Sequence, residues 1–144
     1  MSDHPVVHHV RQKHAWGCGI ACLAMVTGDS YDDIYALVRS YIEGCEDSRK
    51  GIHEYHLRDY LNLRGFAYQQ VPHFSALENI KREPWPPKPW APVHIVQVFA
   101  GSYHFVVMDE VGRVFDPNAE VRTRLDHPDY RDIYYVLGLW KVRP

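Results

Sequence analysis

The spacing of the apolar residues changes once along the chain, and this change limits the folds that are open to it. Up to about residue 64 apolar residues recur at helical spacing, whereas after residue 92 they form short β-branched runs typical of strands. Between these parts, residues 83–92 carry five prolines in ten positions, which excludes a helix or a central strand there. Because helices come first and strands second, the sequence predicts an α+β domain with helices packed on one side of an antiparallel sheet.

Three helices are predicted in the first half of the chain. The stretch CGIACLAMV, residues 18–26, is apolar nearly all round, which predicts a buried central helix. A second helix is predicted over residues 31–42, capped by Asp29 or Ser30, and a third over residues 52–64.

The second half is predicted to be mainly an antiparallel sheet. Short turn signals separate three runs after the proline-rich segment, which indicates a meander, and one more strand follows near the end of the sequence. A short fourth helix is predicted to open at Ser75. The predicted strands are residues 66–71, 93–99, 103–109, 113–117 and 133–142.

Length and charge narrow the classes of function. The 144 residues suit one domain, and we assign residues 1–144 to it. A formal net charge of -2 excludes a basic protein that coats nucleic acid, so no nucleic-acid partner is expected. No apolar run approaches the roughly 20 residues of a membrane span. The start of the sequence lacks the apolar stretch of a signal peptide, so the expected compartment is cytoplasmic.

The segment QKHAWGCGIACLAMV, residues 12–26, carries the sharpest chemical signal. Cys18 opens the apolar helix, and the positive end of a helix dipole stabilises a thiolate, which is the reactive form of a cysteine nucleophile. The flanking Gly17 and Gly19 are expected to let a substrate backbone approach closely and to leave the Cys18 N–H free for an oxyanion. Gln12, six residues earlier, offers a side-chain amide as a second oxyanion donor.

A general base for this thiol is predicted on the sheet. His104 lies in the strand YHFVVMD and Asp116 ends the next run, RVFDP. In a hairpin that turns about Glu110 these two positions are equidistant from the tip, so they face each other or lie one step off. The carboxylate can then orient the imidazole, which predicts a Cys/His/Asp triad. Asn118 is an alternative to Asp116 as the third member.

These residues, together with the order of helices and sheet, resemble the bacteriocin-processing (double-glycine leader) cysteine peptidases, here as a free-standing domain without the ABC transporter. The resemblance implies a papain-like fold and a peptide or protein substrate. It also implies that Cys18 is the nucleophile, His104 the base, Asp116 the orienting carboxylate and Gln12 the oxyanion donor. The chain departs from the family at Gly17, where an acidic residue usually precedes the cysteine.

Two other interpretations concern metals and the remaining histidines. A zinc site would use His14, Cys18 and Cys22, which are spaced by four residues, together with His53 and His56. The usual second pair of closely spaced cysteines is missing, so we expect neither a metal nor a cofactor. Cys22 is predicted to be a core residue. Three histidines at the start of the sequence are expected to be solvated, namely His4, His8 and His9. No role is assigned to Cys45 or to the tryptophans of the proline-rich segment.

Other functions use the same nucleophile or none. A deamidase, a transglutaminase-like enzyme or an isopeptidase would need the same thioester chemistry as a peptidase. A catalytically inactive peptide-binding module is a further alternative. The sequence does not specify the oligomeric state.

Overall fold

The computed structural model describes residues 7–14, 17–41, 52, 54–71, 91–99, 103–121 and 132–142. Within these ranges three helices precede five strands. The helices are α1 (Cys18–Thr27), α2 (Tyr31–Tyr41) and α3 (Glu54–Leu63), and the strands are β1 (Phe66–Val71), β2 (Val93–Phe99), β3 (Tyr103–Asp109), β4 (Val114–Phe115) and β5 (Asp132–Lys141). The predicted helix at Ser75, Cys45 and most of the proline-rich segment lie outside the described residues.

The five strands form one antiparallel sheet in the order β1-β5-β2-β3-β4. The predicted meander of β2, β3 and β4 is confirmed. The last strand in the sequence, β5, lies between β1 and β2, a placement that the sequence did not predict. Every strand pair joins segments that run in opposite directions, so the sheet agrees with the predicted α+β class.

The helices pack on one face of this sheet, and α1 is the central helix, as predicted. Eight of its ten residues, from Gly19 to Val26, are buried. It ends at Gly28, which adopts the left-handed conformation with φ 81° and donates its N–H to the Ala24 carbonyl at 3.0 Å. Alternate strand residues complete the core, and they include Val93, Ile95, Phe105, Val107, Leu137 and Leu139.

Polar contacts fix the other two helices. Ser30 caps α2 by accepting the Asp33 N–H at 3.1 Å, as one of the two predicted caps. Asp29 has another role, because its carboxylate accepts the Tyr60 hydroxyl and an Arg64 guanidinium N–H, both at 2.6 Å. These bonds tie the α1–α2 connection to the end of α3. No helix in the described ranges is long and apolar enough to cross a membrane.

Candidate active site

The predicted nucleophile occupies the first position of the central helix. Cys18 is half-buried, and the first turn of α1 carries no acidic side chain that would oppose a thiolate. The backbone here is anchored on both sides, since Gly17 donates its N–H to the His14 carbonyl and accepts the Ala21 N–H, each at 3.0 Å. The unsatisfied N–H groups and the dipole at this helix end therefore act on the Cys18 sulfur.

The two glycines beside Cys18 are explained by internal packing, which differs from the expected close approach of a substrate. Both are buried. A Cβ atom at Gly17 would overlap the hydroxyl oxygen of Tyr31, and one at Gly19 would lie 2.6 Å from Cγ1 of Ile52. The Tyr31 hydroxyl thus takes the space that a side chain at position 17 would need, so an acidic residue cannot precede Cys18 in this packing.

The β3–β4 hairpin turns one residue later than predicted. Val107 pairs with Phe115 and Met108 with Val114, which centres the turn on Val111. Asp109 fixes the turn, because its carboxylate accepts the N–H groups of Val111 and Arg113 at 3.1 and 2.9 Å.

This register brings His104 and Asp116 together diagonally. The last β4 pair is Val107 with Phe115, and extending the same register by one residue sets Asp116 opposite Val106, two residues from His104 along β3. Diagonal neighbours at this spacing are within reach of long side chains. His104 donates from Nε2 to Oδ1 of Asp116 at 2.7 Å. The same oxygen accepts the backbone N–H of Asn118 at 2.8 Å, while Asn118 itself is exposed. Asp116 is therefore the residue that contacts the imidazole.

His104 also interacts with Cys18, and the pKa of its ring reflects both partners. Burial acts to lower this pKa, but hydrogen bonds and Coulombic attraction from Asp116 and Cys18 outweigh it and raise the value to about 9. Nε2 is the ring nitrogen that bonds to Asp116. The structure thus brings Cys18, His104 and Asp116 into one chain of contacts that is half-buried at its sulfur end.

The second cysteine of α1 is a core residue, as predicted. Cys22 is fully buried. Burial raises the pKa of its thiol well above the ordinary value, and the nearby Cys18 and Asp116 act in the same direction. Cys22 therefore remains a protonated thiol when Cys18 reacts.

Gln12 lies beside the start of α1. Its Nε2 donates to the His14 carbonyl at 2.9 Å, and this carbonyl also accepts the Gly17 N–H. The side-chain amide of Gln12 and the backbone that leads into Cys18 therefore share one acceptor. The Gln12 backbone N–H donates to the Pro117 carbonyl at 2.9 Å, which connects this segment to the end of the hairpin.

Two residues near the site were not predicted to contribute to it. His9, expected to be solvated, is half-buried and donates from Nε2 to the Asp116 carbonyl at 2.7 Å. Tyr31 lies over Gly17, and its hydroxyl pairs with Nδ1 of His14 at 2.9 Å. Local sequence patterns carry no signal for these contacts, since each joins segments that periodicity does not relate.

The described residues contain no group of three or more His, Cys, Asp or Glu side chains that could hold a metal ion. Two members of the zinc alternative are engaged elsewhere. The His14 ring pairs with Tyr31 and stacks on Tyr35 with centroids 4.7 Å apart, and Cys22 is buried in the core.

Comparison with solved structures identifies the fold. The chain is similar to a double glycine motif protease from an AMS/PCAT transporter, crystallised in complex with the leader peptide. That match has a TM-score of 0.63 and 19% identity over 96% of this chain and 95% of the other. The peptidase domain of Streptococcus ComA, a bi-functional ABC transporter involved in a quorum-sensing pathway, matches with a TM-score of 0.62 and 16% identity over 91% and 96% of the two chains. The fold is thus that of these peptidase domains. No family model and no curated protein matches the chain by sequence.

Proposed function

We propose that this chain is a cysteine peptidase that cleaves peptide bonds through a thioester on Cys18. The single observation that carries the proposal is the contact chain from Cys18 through His104 to Asp116 at the start of the central helix. A structural cysteine would need neither a half-buried imidazole beside its sulfur nor a carboxylate behind that imidazole. The fold shared with peptidase domains supports the same conclusion.

His104 is the proton carrier in both half-reactions. Its raised pKa of about 9 favours the imidazolium at neutral pH, which pairs with the Cys18 thiolate. The thiolate attacks the scissile carbonyl, and the imidazolium gives its proton to the leaving amine as the C–N bond breaks. Water then attacks the thioester while His104 takes its proton, and the Cys18 sulfur leaves as a thiolate, which restores the starting pair. Asp116 holds the ring orientation throughout.

The tetrahedral intermediate needs donors for its oxyanion. The Cys18 N–H lies at the positive end of α1, and the Gln12 amide lies beside the same backbone. One Nε2 hydrogen of Gln12 is directed to the His14 carbonyl, which fixes the plane of the carboxamide. We assign the other hydrogen and the Cys18 N–H to the oxyanion. Loss of one such donor typically lowers kcat by about 10²- to 10³-fold.

The same comparisons support a substrate class. One of the proteins that share this fold, a double glycine motif protease, is bound to the leader peptide in its crystal structure. We therefore propose a peptide substrate for this chain and place a peptide that ends its leader in Gly-Gly first among those to be tested.

Alkylation kinetics test whether Cys18 is activated. At pH 6 iodoacetamide should modify Cys18 far faster than Cys45, as followed by intact mass and peptide mapping. His104→Ala should slow the modification of Cys18 and leave that of Cys45 unchanged, which makes Cys45 an internal control. Equal rates at the two thiols contradict an activated nucleophile.

Product analysis separates the peptidase from its alternatives. Incubation with a peptide pool should yield new N-termini that are absent with Cys18→Ala. Release of ammonia without new N-termini would instead assign a deamidase with the same nucleophile. Peptide binding that Cys18→Ala leaves intact, with no turnover by the unsubstituted chain, would assign an inactive binding module.

A further inference from the structure

We propose that His9 is a positioning residue that holds the Asp116 carboxylate against His104. The inference rests on the proposed function, because it gives His9 a role through the triad. His9 lies in the segment of residues 7–14 that precedes α1, which we call the N-terminal arm. The arm donates hydrogen bonds to two successive backbone carbonyls at the end of the hairpin, those of Asp116 and Pro117.

The first contact is made by His9 itself. Its Nε2 donates to the backbone carbonyl of Asp116 at 2.7 Å, and its ring packs at a tilt against Phe115 with centroids 6.4 Å apart. A carbonyl oxygen only accepts, so Nε2 carries the hydrogen in this bond. The ring is therefore bonded to residue 116 and packed on residue 115.

The second contact lies three residues further along the arm. The Gln12 N–H donates to the Pro117 carbonyl at 2.9 Å. Two successive peptide units, those of Asp116 and Pro117, are thus bonded to the arm on one side. On the other side the Asp116 carboxylate accepts His104 and the Asn118 N–H.

These bonds matter because β4 is short. Only Val114 and Phe115 pair with β3, so the sheet ladder ends before Asp116. Beyond that point the backbone is held by a turn, in which Ala119 donates to the Asp116 carbonyl at a longer 3.2 Å, and by the arm. The direction of the Asp116 side chain follows from its backbone. Loss of the His9 bond therefore loosens the carboxylate while His104, within β3, stays in place.

The arm also serves both the triad and the proposed oxyanion site from one continuous segment. His9 bonds to the backbone of the orienting carboxylate, and Gln12 supplies the oxyanion donor. A change in the arm should therefore alter the triad even though no arm residue contacts the Cys18 sulfur in the proposed mechanism.

The test compares His9→Ala with His8→Ala in the full chain. His8 is exposed and adjacent, so it is a matched control for the loss of one imidazole from the arm. We expect kcat on the cleaved peptide to fall about five- to tenfold in His9→Ala, the size of one net hydrogen bond, with KM little changed. His9→Gln should recover most of the loss, because glutamine Nε2 can take the place of the imidazole Nε2.

A second readout reports on Asp116 directly and needs no substrate. The iodoacetamide rate of Cys18 should rise to a plateau at high pH, because loss of the His104 proton frees the thiolate from its ion pair, with a midpoint set by the His104 pKa of about 9. A looser Asp116 lowers that pKa, so the midpoint should move to lower pH in His9→Ala and stay in place in His8→Ala.

The outcomes distinguish this inference from the proposed function. If His9→Ala matches His8→Ala in kcat and in the alkaline midpoint, His9 does not position Asp116. A lower melting temperature with an unmoved midpoint has the same meaning, because the role would then be structural only. If the unsubstituted chain cleaves no peptide but the midpoint still moves, the positioning role stands and the peptidase assignment fails.

Discussion

The contact between Gly17 and Tyr31 gives a quantitative prediction about why glycine precedes the nucleophile. Gly17 has φ -89°, a backbone that alanine also adopts, so strain is not the reason. The obstacle is the Tyr31 hydroxyl oxygen, which overlaps the position of a Cβ atom. Gly17→Ala should therefore destabilise the fold by displacing the Tyr31 ring, and removal of that hydroxyl should relieve most of the cost.

The size of the destabilisation expected for Gly17→Ala follows from the packing around Tyr31. Tyr31 is 4% exposed, so its ring can retreat only into neighbouring side chains, and overpacking of this kind costs about 1–3 kcal/mol. The retreat also weakens the bond between the Tyr31 hydroxyl and His14, worth about 1 kcal/mol. In Tyr31→Phe the nearest atoms to the new Cβ are the ring Cζ at 3.1 Å and the His14 carbonyl oxygen at 3.3 Å, a tight but tolerable fit. We expect a coupling free energy of about 2 kcal/mol.

Urea unfolding of the two single variants and the double variant measures this coupling. Together with the unsubstituted chain these variants form a double-mutant cycle, in which the intrinsic helix preference of alanine at position 17 cancels. Tyr35→Phe is the matched control, because Tyr35 also stacks on His14 but none of its atoms is among the three nearest to a Cβ atom at position 17. A coupling below about 0.5 kcal/mol for the Tyr31 cycle, or an equal coupling for Tyr35, refutes the steric explanation.

Three further predictions concern charge and hydrogen bonding. Because the folded pKa of His104 is about 9 against an ordinary 6.5, its contribution to stability is complete below pH 6.5 and is lost as the pH rises to 9. Over that range the free energy of unfolding of the chain should fall by up to about 3 kcal/mol relative to that of His104→Gln, as measured by urea titrations. Parallel pH profiles of the two proteins would contradict this prediction. Asp109→Ala removes a buried acceptor of two Arg113 donors and should cost about 2 kcal/mol, read from the urea midpoint at constant m. Tyr60→Phe removes a donor to Asp29 and should cost about 1.5 kcal/mol by the same assay, with no change in the alkylation rate of the nucleophile.

The sequence predicted those parts of the fold that local patterns determine. The helix that opens at Cys18 and the strands β1, β2 and β3 were predicted at or within one residue of their observed bounds, because apolar period and turn residues are local properties. The placement of β5 between β1 and β2 was not predicted. Strand order depends on contacts between segments far apart in sequence, and no periodicity encodes it.

In the candidate site too, contacts within one hairpin were predicted from the sequence, whereas contacts between distant segments were not. His104 and Asp116 were paired correctly because a hairpin relates them through distance from its tip, and a shift of the turn by one residue left them within reach. The reason for Gly17 was missed, since the atom that requires it belongs to Tyr31 on another helix. His9 was missed because a polar arm has no periodic pattern that could reveal a bond to a carbonyl more than one hundred residues away.

The central position of β5 has a consequence for the order in which the molecule assembles. Hydrogen bonds of β5 to both β1 and β2 join the two parts of the sheet, so neither part can reach its final neighbour before residues 132–141 are available. During synthesis these residues leave the ribosome after every side chain assigned to the reaction. Contacts of such long sequence separation form late and slowly. The reactivity of the Cys18 thiol should therefore appear last, after β5 has paired with β1 and β2 in the newly made chain.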